Sequence, residues 1–227
     1  MAQSGSRHNS GSDQDQIVSA TPPVLWDPVV RLSHWIIALV VIGNGLITRG
    51  GSAAHVWLGW TAMTLLLLRL VWGVIGPAEA RFSAFPPNPR AALSHLRSLV
   101  SPPPKPYASH NPAGAMMAYS LWAALAVVIG TGLMMTQGAS PLHISQQQAI
   151  LEQGDWSQLV VTDANGPDAQ TETGFGKATK KVHEMAANLM LALAVLHVLG
   201  VAVESVAMRH NLVAAMTIAR RKSRRKK

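Results

Sequence analysis

The stretch V-H-E-M-A-A-N-L-M-L-A-L-A-V-L-H-V-L-G-V-A-V-E-S-V (182–206) decides the fold. It is apolar over close to the ~20 residues needed to cross ~30 Å of hydrocarbon, yet it carries two histidines, His183 and His197. A segment that spans hydrocarbon outside a closed barrel must be helical, because its backbone groups need partners within the segment. On a helix turning about 100° per residue, the fourteen-residue spacing falls about 40° short of whole turns. Both imidazoles therefore share one face, separated by roughly 21 Å along the axis. Ionisable side chains at such depths are costly and mark function.

Three further apolar stretches precede this one, at about Val29–Thr48, His55–Ile75 and Ala113–Met135. Together they predict an all-α membrane protein, a four-transmembrane-helix bundle. Composition agrees: 48% of residues are hydrophobic and only 13% charged, with a mean hydropathy of +0.20. That charged fraction is roughly half of an ordinary soluble domain's. No cysteine is present, which excludes disulfides, iron–sulfur clusters, thiolate zinc and thiol catalysis. Covalent c-type haem is excluded too, since no C-x-x-C-H can exist. A metal here falls to His, Met or carboxylate, and nine histidines make His the first candidate.

Residues 1–22 are rich in Ser, Gly, Asn, Asp and Gln and read as a disordered leader, without the apolar core of a signal peptide. Residues 23–219 form the membrane domain, and 220–227 a basic tail holding seven of the nineteen Lys and Arg. In so apolar a chain the tail reads as a cytoplasmic membrane flank rather than a nucleic-acid binder. The N-terminal flank, the 76–112 loop and the C-terminal tail hold fourteen basic residues; Arg49, Lys177, Lys180 and Lys181 lie on the opposite side. The positive-inside rule then puts both termini in the cytoplasm of a bacterial inner membrane. The 137–181 linker, with Glu152, Asp155, Asp163, Asp168 and Glu172, faces the periplasm. Its Gly, Asp and Gln content predicts irregular structure with no spanning element.

Helix direction then sorts the histidines by depth. His34 lies near the cytoplasmic start of the first span, and His55 at the periplasmic start of the second. His34 pairs with His197, and His55 with His183. Each layer offers two imidazoles on different helices, the arrangement that holds haem iron at both axial positions and favours electron transfer over oxygen binding. Any single one of these histidines reads more simply as an interfacial or hydrogen-bonded residue; four in two layers do not. A zinc or copper site needs three or four ligands at one depth, which this pattern lacks. Arg69, fourteen residues after His55, falls on nearly the same face in the cytoplasmic layer and could pair a haem propionate, or snorkel to the surface. Gly43, Gly45, Gly59, Gly130, Gly132 and Gly200 allow close approach of a macrocycle or of a neighbouring helix. His8, His95, His110, His143 and His210 read as non-ligands, His95 within an amphipathic cytoplasmic segment around Arg90–Val100. The His183-Glu184 pair does not extend to a metalloprotease H-E-x-x-H, because position 187 is Ala187.

Several stretches in order are similar to one known family: W-D-P-V-V-R-L-S-H-W (26–35), H-V-W-L-G-W (55–60), L-L-R-L-V-W-G-V-I-G-P (67–77), R-F-S-A-F (81–85), H-N-P-A-G-A (110–115), V-H-E-M-A-A-N-L (182–189), L-H-V-L-G-V-A-V-E-S (196–205) and N-L-V-A-A-M (211–216). Over about residues 24–219 the chain resembles the bacterial cytochrome b561 family, which includes the b-type cytochrome subunits of membrane-bound nickel–iron hydrogenases. The resemblance implies a four-helix bundle with two haem b groups, and its ligand positions fall on His34, His55, His183 and His197. It also implies electron exchange with the quinone pool and with a periplasmic dehydrogenase, hydrogenase or cytochrome c. The long 137–181 linker departs from the plainest family pattern and leaves that partner open.

Three functions follow. The first is a di-haem membrane cytochrome passing electrons between quinone and a periplasmic redox protein in a respiratory chain. The second keeps the haems in a stand-alone quinone oxidoreductase acting on a small periplasmic substrate. The third is a non-redox membrane metal carrier or assembly factor.

Overall fold

The computed structural model describes residues 27–98, 111–153, 174–208 and 211–217; the leader 1–22 and the basic tail 220–227 lie outside them. The described residues are helical, without strands. Helix α1 spans Pro28–Ile42 and runs on through a π turn at Gly43–Ile47. Helix α2 is Ala53–Ile75, α3 is Pro89–Ser98, and α4 is Pro112–Met135. Helix α5 is Pro141–Glu152, α6 is Gly174–Ala207, and α7 is the short Val213–Met216. Among the described residues, four helical segments are long and apolar enough to cross a membrane: Pro28–Ile47, Ala53–Ile75, Pro112–Met135 and Gly174–Ala207.

Local chemistry sets the helix ends. Asp27 caps α1, its Oδ1 accepting from the N–H groups of Val29 at 2.9 Å and Val30 at 3.1 Å, with Pro28 in the first turn where its missing N–H costs nothing. The same oxygen accepts from Trp72 Nε1 at 3.0 Å, which ties the start of α1 to the end of α2. Ser52 caps α2 through the His55 N–H at 3.2 Å, and Asn111 caps α4 through the Gly114 N–H at 2.6 Å. Helix α4 ends where Gln137 and Gly138 turn into the left-handed region, at φ 51° and 73°.

Helix α4 packs along α6, α1 against α2, and α2 against both α4 and α5. The core they enclose is small: Val40, Ala62, Leu66, Ala124, Leu125 and Met190. Most large apolar side chains point outward instead; Leu39, Val74 and Val198 are 68%, 67% and 66% exposed. A surface this apolar is one that lipid covers.

Two expectations need correction. The 137–181 linker is not wholly irregular, because α5 occupies 141–152. Apart from Gly138, its Gly and Asp residues fall after that segment; within it, Pro141 opens the helix, Ser140 Oγ accepts from the His143 N–H at 3.3 Å, and good helix formers follow. The helix that carries the last apolar stretch starts at Gly174, not Val182, so Lys177, Lys180 and Lys181 ride on the exposed first turns of α6 rather than on a loop. The 76–112 connection holds two short 3-10 turns, Ala78–Ala80 and Phe82–Ala84, before α3.

Candidate functional site

The fold brings the four span histidines together in two pairs. His34 of α1 faces His197 of α6 with ring centroids 6.1 Å apart, the planes inclined at 63°. His55 of α2 faces His183 of α6, again at 6.1 Å, inclined at 65°. Two imidazoles that bind one metal from opposite sides, each nitrogen about 2 Å from it, have ring centres about 6 Å apart, because a ring centre lies about 1 Å behind its nitrogen. Both pairs have that spacing. Among the described residues no three His, Cys, Asp or Glu side chains gather as a metal-holding group.

The His55–His183 pair opens into a cavity of about 870 Å³, counting its open mouth. Its walls are almost wholly apolar, with Val56, Met63, Leu133 and Met190 among them. Gly59 lines it, and a Cβ there would meet nothing within 4 Å. Gly132 sits against the His183 ring, where a Cβ would lie 3.4 Å from Cε1.

Hydroxyl groups fix the two rings of this pair. Thr131 of α4 donates to the Val127 carbonyl at 2.7 Å, so its oxygen can accept from His183 Nδ1–H, 2.9 Å away. At His55, Asn44 Nδ2 donates to the His55 carbonyl at 3.2 Å, turning its Oδ1 toward Thr48. Thr48 donates to that Oδ1 at 2.8 Å and lies 3.4 Å from His55 Nδ1 as acceptor. A ring that donates through Nδ1 keeps its lone pair on Nε2, the tautomer a metal ligand needs. Sequence reasoning missed Asn44, Thr48 and Thr131; a side-chain amide inside the first span and a threonine one turn later were the available signal.

The His34–His197 pair has a different setting. Arg69 of α2 is 7% exposed, and its Nη1 has no hydrogen-bond partner among the described residues. Its guanidinium carbon lies 5.5 Å from the centre of the Trp122 ring, and its charge reaches His34. Trp122 belongs to an aromatic cluster with Phe82, Phe85 and Tyr119, with centroids 5.5 to 6.4 Å apart. Phe82 presses on Gly73 so closely that a Cβ there would fall 2.3 Å from its ring.

Of the other histidines, His143 is exposed on α5, and His8, His110 and His210 lie outside the described residues. His95 is buried on α3, with Nε2 3.6 Å from Glu204 Oε1. Asn111 at the start of α4 donates to the other oxygen of that carboxylate, so α3, α4 and α6 meet at one polar cluster.

Spanning-length helices with histidines opposed inside the bundle are the architecture of a membrane b-type cytochrome. Residues 25–218 match the family model described as prokaryotic cytochrome b561, and the chain belongs to that family. It is a bacterial membrane protein of electron transfer, from a family that binds b-type haem. Comparison with curated proteins and with solved structures finds no significant match to either.

Proposed function

We propose that the chain holds two b-type haems, one between His34 and His197 and one between His55 and His183. We propose further that it carries electrons between the quinone pool and a periplasmic redox protein. The observation behind this reading is the repeated 6.1 Å opposition of imidazoles at two depths. Haem supplies the one-electron chemistry; the chain supplies ligation, orientation and a dry surrounding. His183 and His55 are oriented by Thr131 and Thr48, which leave Nε2 free to donate its lone pair. The walls around the His55–His183 pair are almost wholly apolar, as the porphyrin face requires. Arg69, buried with an unpaired N–H, is suited to a propionate carboxylate in the other layer.

In this reading the bundle spans the inner membrane with both termini cytoplasmic, as the distribution of Lys and Arg favours. The His34–His197 layer is then cytoplasmic and the His55–His183 layer periplasmic. Residues 23–219 form the membrane domain.

The test is haem stoichiometry of purified protein by pyridine haemochrome, with a reduced-minus-oxidised spectrum. Two b-type haems per chain are expected, and His197→Ala should lose one while retaining the other. Retention of both haems in that variant would refute the ligand pairs.

A further inference from the structure

The two layers differ in what surrounds the ligands. In the His55–His183 layer, both imidazoles have hydroxyl acceptors at Nδ1: Thr131 at 2.9 Å and Thr48 at 3.4 Å. An Nδ1–H that donates to oxygen pushes electron density onto the ring and makes Nε2 more basic. A more basic ligand stabilises ferric over ferrous iron. In the His34–His197 layer, neither imidazole has a side-chain hydrogen bond among the described residues; the nearby polar group is the buried cation Arg69. A fixed positive charge out of water favours the form with one more electron.

Other charges do not reverse this contrast. Lys177, Lys180 and Lys181 are exposed on the polar first turns of α6, where solvent screens them, and Glu184 beside His183 adds a negative charge that acts in the same direction as the hydroxyls. Asp27 offsets part of the Arg69 charge, but of the two it is Arg69 whose charge reaches His34.

We infer that Thr131 and Thr48 set the His55–His183 layer at the lower potential and that Arg69 sets the His34–His197 layer at the higher. Electrons then run from the first layer to the second. The inference rests on the two-haem reading. It makes Thr131, Thr48 and Arg69 positioning and tuning residues, none of them a ligand.

The experiment is a potentiometric titration of the purified full-length protein, following both haems optically. Thr131→Val should raise the lower of the two midpoints and leave the higher unmoved. The expected change is roughly fivefold in the reduced-to-oxidised ratio at fixed ambient potential, about 40 mV at 59 mV per tenfold. Thr131→Ser, which restores the hydroxyl, should return the midpoint. Arg69→Gln should lower the higher midpoint, by on the order of tenfold in the same ratio, about 59 mV. A Thr131→Val protein that loses haem is replaced by Thr48→Val, which removes the equivalent acceptor at His55. Haem loss from both overturns the inference, because the hydroxyls would then be structural. It is overturned equally if Thr131→Val lowers a midpoint, moves the higher one, or moves neither. Wild-type protein with fewer than two haems instead refutes the two-haem reading.

Discussion

Replacing Gly73 by alanine tests how the aromatic cluster supports the site. A Cβ at position 73 would lie 2.3, 2.5 and 2.7 Å from three atoms of the Phe82 ring. Ordinary carbon contacts lie near 3.5–4.0 Å, so the ring must retreat by more than about 1 Å. It has little freedom to do so: Phe85, Tyr119 and Trp122 surround it at centroid distances of 6.3, 6.2 and 5.6 Å. Overpacking of this kind costs about 1–3 kcal/mol. Because Trp122 also lies over Arg69, the displacement reaches the His34–His197 layer. The expected result is a lowered unfolding free energy, measured by chemical denaturation in detergent, together with earlier haem release on heating. A double-mutant cycle isolates the cause. Phe82→Ala removes the ring, so adding Gly73→Ala to it should cost almost nothing, giving a coupling of about 1–3 kcal/mol. Additive effects in that cycle, or a Gly73→Ala protein as stable as the parent, would show that Phe82 moves freely and that the cluster is not a support.

Three other changes probe separate links. Gly59→Ala should keep two haems, since its Cβ meets nothing, whereas Gly59→Phe should fill the cavity and leave one; retention of both by Gly59→Phe counts against the cavity as a haem site. Gln148→Ala removes the acceptor that holds the Ala53 N–H at 3.0 Å and frees the Gly51 carbonyl, so amide exchange at the start of α2 should quicken by roughly the fivefold that ~1 kcal/mol represents; unchanged exchange there would detach α5 from the support of His55. Asp27→Ala strips the cap of α1 and its bond to Trp72 and should cost about 0.5–2 kcal/mol, read by the same denaturation assay; Asp27→Asn, which retains an acceptor oxygen, should recover most of it.

Hydropathy made the four spanning segments legible, because lipid demands a run of apolar residues that nothing else in the chain imitates. Which histidines oppose one another was legible for a related reason: a helix of spanning length has a fixed rise, so spacing along antiparallel helices matches His34 to His197 and His55 to His183. Helix α5 escaped because the linker's composition was averaged over its length. The helix-forming segment 141–152 lies beside the Gly- and Asp-rich remainder and was diluted by it. The early start of α6 escaped because its first turns are polar, and a helix need not stop where hydrocarbon does. Thr131 was invisible for a different reason: it sits on α4, the span with no candidate ligand, and only tertiary packing brings it to His183. The meeting of Gly73 with Phe82 likewise depends on how the chain doubles back after α2.

The π turn at Gly43–Ile47 shows how a local irregularity serves the site. A π turn adds a residue to the helical repeat and leaves weaker packing around its axis, so it persists where the extra residue has a use. Here Thr48 N–H bonds back to the Gly43 carbonyl at 2.9 Å, and the wider turn ends α1 with the Thr48 hydroxyl directed to His55. Asn44, one turn earlier, binds the His55 carbonyl and steadies the same hydroxyl. Gly45 lies where a Cβ would come within 2.9 Å of Leu191 Cδ2, so a side chain there would make the tip of Leu191 on α6 shift. Helix α6 carries one histidine of each pair, and its displacement would widen both 6.1 Å separations together. Gly45 of the turn thus leaves room for Leu191 of α6, while Asn44 and Thr48 orient the ring that His183 faces.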